Sequence, residues 1–229
     1  MSDREIVGWF TSEGQHIPIH KGESKQDAFN RAVGKREREI RANKEEADKR
    51  NVENSSAPSS LKQVDSKQFE KDLTKARDTR PDQDKWRVDE HTKEQLDERG
   101  CKCYTSQGGS TVAVDKNGDI ISVCKAKGDR TVTGADLMRH AVKMGGTKLD
   151  SFYGNDRFYV ANGFQAVSWT PFSRKYAPDG WDKSGCKGES VVFYKFVGVG
   201  KAVHIPLTKL PKFTGKDGYD NAMAYRDKH

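Results

Sequence analysis

Tyr159 stands in the stretch NDRFYVANGF, four residues before Gly163. Its hydroxyl could hand a proton to a reacting atom, or bond to backbone from a packed ring. The candidate proton acceptors are Asp119, at the turn-proximal start of DIISVCKAK; Asp150, within TKLDSFY; and His140, between Arg139 and Ala141. Asp150 reads equally as an exposed strand carboxylate, and His140 as a satisfied helix histidine. Four cysteines are present, Cys101, Cys103, Cys124 and Cys186. Their C-x-C spacing with two distant partners does not match a zinc site, so no metal is expected. The thiols read as free, in a reducing compartment. The chemistry on offer is proton transfer between oxygen and nitrogen groups.

These groups sit in a polar chain. Of its 229 residues, 33% are apolar and 33% charged, so much of the length must be solvated. The net charge of +7 is spread out rather than gathered in a Lys/Arg block, which allows nucleic acid as a partner without demanding it. The start MSDREIVGWF lacks the apolar core of a secretory signal, and no run is long enough to span a membrane.

Periodicity and turn signals divide the chain. Residues 7–20 read as a hairpin about SEGQ, and ESKQDAFNRAV as a helix capped by Ser24 with Asp27 three places on. The following charged stretch, 34–50, is a solvated helix or disordered, and NVENSSAPSS is a linker by composition. Residues 61–79 are expected as a polar helix with Leu61, Val64, Phe69 and Leu73 along one face. KWRVDE reads as a short strand, and TKEQLDERG as a helix closed by Gly100. Strands follow at CKCYTS, STVAVD and DIISVCKAK, the last two joined by a turn at Asn117-Gly118. TGADLMRHAVKMGG is the clearest helix, capped by Thr133, with Leu137, Met138, Ala141 and Val142 inward. TKLDSFY, FQAVSWTPF and ESVVFYKFVG are strands, and NDRFYVANG is a short helix with Phe158 expected in the core. The tail's HIPL echoes HIPI near the N-terminus; four residues are too few for a repeat, so the echo reads either as chance or as a pair of similar edge strands. The layout is thus 1–50 hairpin and charged helix, 51–81 linker and polar helix, 82–200 a mixed αβ sheet, and 201–229 a tail.

The run from GDIISVCKAKGDRTVTGADLMRHAVKMGG to NDRFYVANGF resembles the second half of a GNAT-type N-acetyltransferase domain. VSWTPFSRKYAPDGW with VVFYKFVG is similar to phage-encoded GNAT-like proteins. GWFTSEGQHIPIHKGES resembles an N-terminal segment common in phage and prophage proteins. The resemblance implies an α+β, acyl-CoA-transferase type of fold over 82–200, with a hairpin and polar extension before it. It implies acetyl-CoA as cofactor. Backbone at Val123, Cys124 and Lys125 would hold the pantetheine arm, and the loop and helix start at Arg130, Val132, Thr133, Gly134 and Ala135 the pyrophosphate. Asn155 would lie beside them. Tyr159 would protonate the leaving thiolate. The family often carries its base on the strand matching DIISVCKAK, which offers only Asp119, so Asp150 on the next strand is a further candidate to take the acceptor's proton. Thr133 stands where the family's loop has its central glycine, and Asn155 precedes Tyr159 by only four residues. The phage likeness implies a bacterial cytoplasm or a virion, with a virion or host protein as partner of the N-terminal segment. A catalytically inactive binding module and a DNA-binding or DNA-modifying member of the fold are the alternatives.

Overall fold

The computed structural model describes residues 6–12, 15–28, 30–32, 60–173, 175, 177 and 189–229. The chain divides into two compact units, Met1–Pro58 and Ser59–His229.

In the first unit, β1 (Ile6–Ser12) and β2 (Gln15–His20) pair antiparallel, as the hairpin reading about SEGQ predicts. Helical residues 25–28 and 30–32 follow. Ser24 caps them: its Oγ accepts from the Asp27 N–H at 3.1 Å, and the Asp27 carboxylate accepts from the Ser24 N–H at 3.2 Å. Arg31 ties this turn to the hairpin, donating to Glu23 at 2.9 Å and to the Pro18 carbonyl at 2.6 Å. The charged stretch 34–50 and the compositional linker up to residue 59 lie outside the described residues.

The second unit is mixed α+β. Its strands are β3 (Leu61–Val64), β4 (Lys102–Ser106), β5 (Thr111–Val114), β6 (Ile120–Cys124), β7 (Lys148–Phe152), β8 (Phe164–Pro171) and β9 (Ser190–Phe196). Its helices are α1 (Ser66–Asp78), α2 (Asp82–Lys85), α3 (Lys93–Glu98), α4 (Gly134–Lys143), α5 (Asp156–Ala161) and α6 (Gly218–Lys228). One antiparallel sheet runs β3-β4-β5-β6, and a second runs β7-β9-β8. The expected single mixed sheet is therefore two antiparallel sheets. They meet at one parallel bridge, Asp119 to Lys148, where the Gly118 carbonyl accepts from the Thr147 N–H at 2.8 Å and the Lys148 N–H at 3.2 Å. The β6-α4-β7 crossover that joins them is the one the helix and strand signals predict.

Local chemistry explains most boundaries. Thr133 and Asp136 form a capping box at the start of α4, and Thr92 and Gln95 do the same for α3. Gly163 takes φ +87 in the turn between α5 and β8, and a Cβ there would stand 2.6 Å from both the Gly198 carbonyl carbon and the Val199 nitrogen. Only glycine fits both constraints.

Five expectations are corrected. Leu61 and Val64 are not helical: Leu61–Val64 pairs with β4, and α1 starts only after its cap Asp65, whose side chain accepts from the Gln68 N–H. KWRVDE is a run of turns, because Pro81 starts α2 and the chain then bends at Trp86–Val88 instead of extending. The HIPL segment of the tail is no edge strand. The tail makes a 3-10 turn at Leu207–Lys209 and one bridge from Lys212 to Trp169, then forms α6 against β8 and β9. Phe158 is 36% exposed rather than core. The segments 59–81 and 201–229, read as flanking the domain, belong to its compact body.

One irregularity arranges the rest. Ser122, in the middle of β6, has φ 53, and the β5-β6 register slips between Thr111 and Ala113. A bulge adds a residue and so reverses which face the later side chains take. Before it, Ile120 joins the core under α4 and Ile121 the core under α1. After it, Val123 packs toward α4, and Cys124 is buried with Phe69 and Leu73 of α1.

Candidate functional site

Beyond the bridge at Asp119 and Lys148, β6 and β7 part. α4 follows the loop after β6 and α5 comes after β7, and both helices border the gap. The result is a cleft of about 1240 Å³ within the second unit. Its walls include Ser122, Val123 and Lys125 from β6 and the loop after it, Gly134 from α4, Asp150 and Ser151 from β7, and Asn155 and Tyr159 around α5. The loop between α2 and α3 adds Asp89 and His91, and α6 adds Tyr219.

Six of the eleven residues expected as catalytic or cofactor-binding thus meet on one cavity: Val123, Lys125, Gly134, Asp150, Asn155 and Tyr159. The other five do not line it. Cys124 points the other way because of the bulge, and burial pushes its thiol up. Val132 is buried in the core, Arg130 is exposed, Thr133 is the exposed cap of α4, and Ala135 is half-buried beside Gly134.

The two proton-transfer candidates are close enough to sense one another. Burial pushes the Asp150 carboxyl up to about 6, and the neighbouring Asp89 carboxylate adds to the rise. The Tyr219 hydroxyl and the Arg226 charge oppose it. Tyr159 is buried, and its phenol is raised first by that burial and also by the Asp150 charge, while a hydrogen bond with Ser151 pulls it down. The Ser151 hydroxyl also accepts from the Asn155 amide at 3.1 Å. The Tyr159 ring is held by Phe158 and Tyr194, with centroids at 5.1 and 5.3 Å. On the facing strand the Ser122 hydroxyl bonds to His91 Nδ1 at 3.0 Å, and burial lowers that histidine's pKa.

Of the other candidate acceptors, Asp119 also lines the cleft, at the bridge, and His140 does not. Asp119 is engaged in the bridge region, 2.8 Å from Arg226 and 3.4 Å from Lys148. The His140 ring packs edge-on against Tyr104 at 4.4 Å.

The loop between β6 and α4 is built differently from an open phosphate cradle. The Asp129 carboxylate lies inside it and accepts from the Ser106 and Ser110 hydroxyls at 2.5 Å each, and from the Thr131 N–H at 2.7 Å and hydroxyl at 2.6 Å. These bonds outweigh the cost of burying the charge and hold the carboxyl well below its usual range. Lys125 Nζ donates to the Asp129 carbonyl. At the helix start the capping box uses the Asp136 N–H, which leaves the N–H groups of Gly134 and Ala135 as the open donors of the first turn. A Cβ on Gly134 would come within 3.1 Å of the Phe158 ring, so the glycine allows the aromatic to close over that turn.

Sequence reasoning passed over Asp89, His91 and Tyr219. Asp89 lies in the segment read as a strand, and His91 falls between it and the next expected helix. Tyr219 lies in GYDNAMAYRDK, whose Ala222 and Tyr225 form too weak an apolar stripe to announce a packed helix.

Among the described residues, no group of His, Cys, Asp and Glu is placed to hold a metal ion, and no helix is long and apolar enough to cross a membrane. Comparison of the chain with protein-family models, curated proteins and solved structures returned no match.

Proposed function

We propose that the Ser59–His229 unit is a GNAT-type, acetyl-CoA-dependent N-acyltransferase of the phage-encoded kind that its segments resemble. The observation that carries this reading is the gap between β6 and β7. Two parallel strands that touch once and then part leave backbone donors and acceptors facing a cavity, and an extended pantetheine arm can use them. The cleft has room for it, and Val123 and Lys125 lie along that wall.

Bound there, acetyl-CoA would supply the activated thioester carbonyl. Asp150 then takes the proton of an acceptor ammonium, a role suited to a carboxyl poised near 6. Tyr159 gives its hydroxyl proton to the leaving sulfur. Gly134 and Ala135 offer N–H groups to a phosphate, and Lys125 and Arg130 provide positive charge near that end.

The non-catalytic reading, a GNAT-like fold that only binds a virion or host protein, is favoured by one feature. The capping box sets the Asp136 carboxylate at the helix start, where it repels an anion.

Isothermal titration separates the two. The acyltransferase reading expects heat and a thermal shift with acetyl-CoA and CoA, with a dissociation constant of about 1 μM to 1 mM, the range of ordinary enzyme substrates. Tyr159→Phe should leave that binding intact. No heat and no thermal shift with either compound would leave the binding-module reading standing.

A further inference from the structure

We propose that Tyr219, on the C-terminal helix α6, is a positioning residue for Asp150, its hydroxyl holding the carboxylate toward the cleft. The proposal rests on the acyltransferase reading for its meaning in catalysis, but not for its geometry.

The placement begins with register. Asp150 on β7 and Phe193 on β9 are directly opposed, so their side chains share one face of the sheet. The Tyr219 ring packs edge-on against Phe193, with centroids 5.0 Å apart. A phenol seated on Phe193 carries its hydroxyl to the residue next door, and that residue is Asp150.

α6 itself is locked in register. The Ser168 hydroxyl of β8 donates to the Ala222 carbonyl at 2.8 Å, and Ala222 is fully buried. One turn on, Arg226 is also fully buried. It reaches Asp119 at 2.8 Å and Asp227 at 2.8 Å, and Lys148 joins the same pair from β7, 3.0 Å from Asp227. This network sits on the bridge where β6 and β7 diverge. The helix that carries Tyr219 is therefore fastened to the neck of the cleft, and a rigid support is what a catalytic carboxylate needs.

The groups facing Asp150 are Asp89 from the loop before α3, Asp119 just before β6, Tyr159 from α5, and Tyr219 and Arg226 from α6. Asp89 and Asp119 favour the protonated acid; Tyr219 and Arg226 favour the carboxylate. Losing the Tyr219 hydroxyl must move the titration upward, and losing the Asp89 charge must move it downward. A residue that only packs would move neither.

The test is carbon-13 NMR titration of the aspartate carboxyls in the full chain without cofactor, for the wild type, Tyr219→Phe and Asp89→Asn. The phenylalanine keeps the ring on Phe193. Tyr219→Phe is expected to raise the Asp150 midpoint by roughly 0.5–1 pH unit, and Asp89→Asn to lower it by a similar amount. An unmoved midpoint in Tyr219→Phe, or a shift of the same sign in both variants, overturns the proposal. Because the readout needs no acetyl-CoA, a failed acetyl-CoA titration would sink the acyltransferase reading while this result still decided the Tyr219–Asp150 pair.

Discussion

At Asp150, the burial that suits the carboxyl to proton transfer also costs folding free energy. An ordinary aspartate titrates near 4, and in the folded cleft Asp150 titrates near 6. The folded state holds this proton more tightly than the unfolded chain does. Stability is therefore lost as pH rises from about 4 through about 6, and the loss is complete above that window. Asp150→Asn should stabilise the protein at pH 7 by roughly 1–3 kcal/mol and by almost nothing at pH 4. Urea denaturation at the two pH values checks it, and equal effects at both would show that the carboxyl is not perturbed. Asp150 and Tyr159 were legible as candidates because their residue types are the ones proton transfer needs. Asp89 and Tyr219 were not, since their meaning comes only from lying against Asp150.

Among the elements, the loop from β6 to α4 shows how a local staple can stand in for glycines. Asp129 satisfies four donors from three residues, two of them on the β4-β5 turn. Asp129→Ala should orphan these donors and cost about 2–4 kcal/mol. Its carboxyl is held below the ordinary value, so its contribution is present in full above about pH 4 and fades as pH falls further. Denaturation curves of wild type and variant should accordingly converge in acid. A gap that stays constant down to pH 2 would mean the staple does not depend on charge. Elements with caps or amphipathic stripes, such as α4 with its Thr133–Asp136 box, were readable in advance. β3 and the turns at Trp86–Val88 were not. Leu61 is a strand residue because β4 offers it an edge, which a helical stripe in the sequence does not reveal.

For the whole molecule, the body that carries the cleft runs from Ser59 to the C-terminus. β3 completes the first sheet, and α6 covers Phe193 and clamps the neck through Arg226, so neither end is dispensable. A fragment of residues 59–229 should unfold with a urea free energy within about 0.5 kcal/mol of the same transition in the full chain, as independent units do. A fragment that fails to fold, or is weaker by several kcal/mol, would show that residues 1–58 support the second unit. The sequence by itself determined the helix caps, the Asn117-Gly118 turn and the β6-α4-β7 order. Those features depend on neighbours along the chain, through backbone sterics and short hydrogen bonds. Only the tertiary structure decided that β6 and β7 part after one bridge, that the bulge at Ser122 turns Val123 rather than Cys124 toward α4, and that Tyr219 arrives beside Asp150. These depend on contacts between segments far apart in the chain, where side-chain packing and buried charge outweigh local preference.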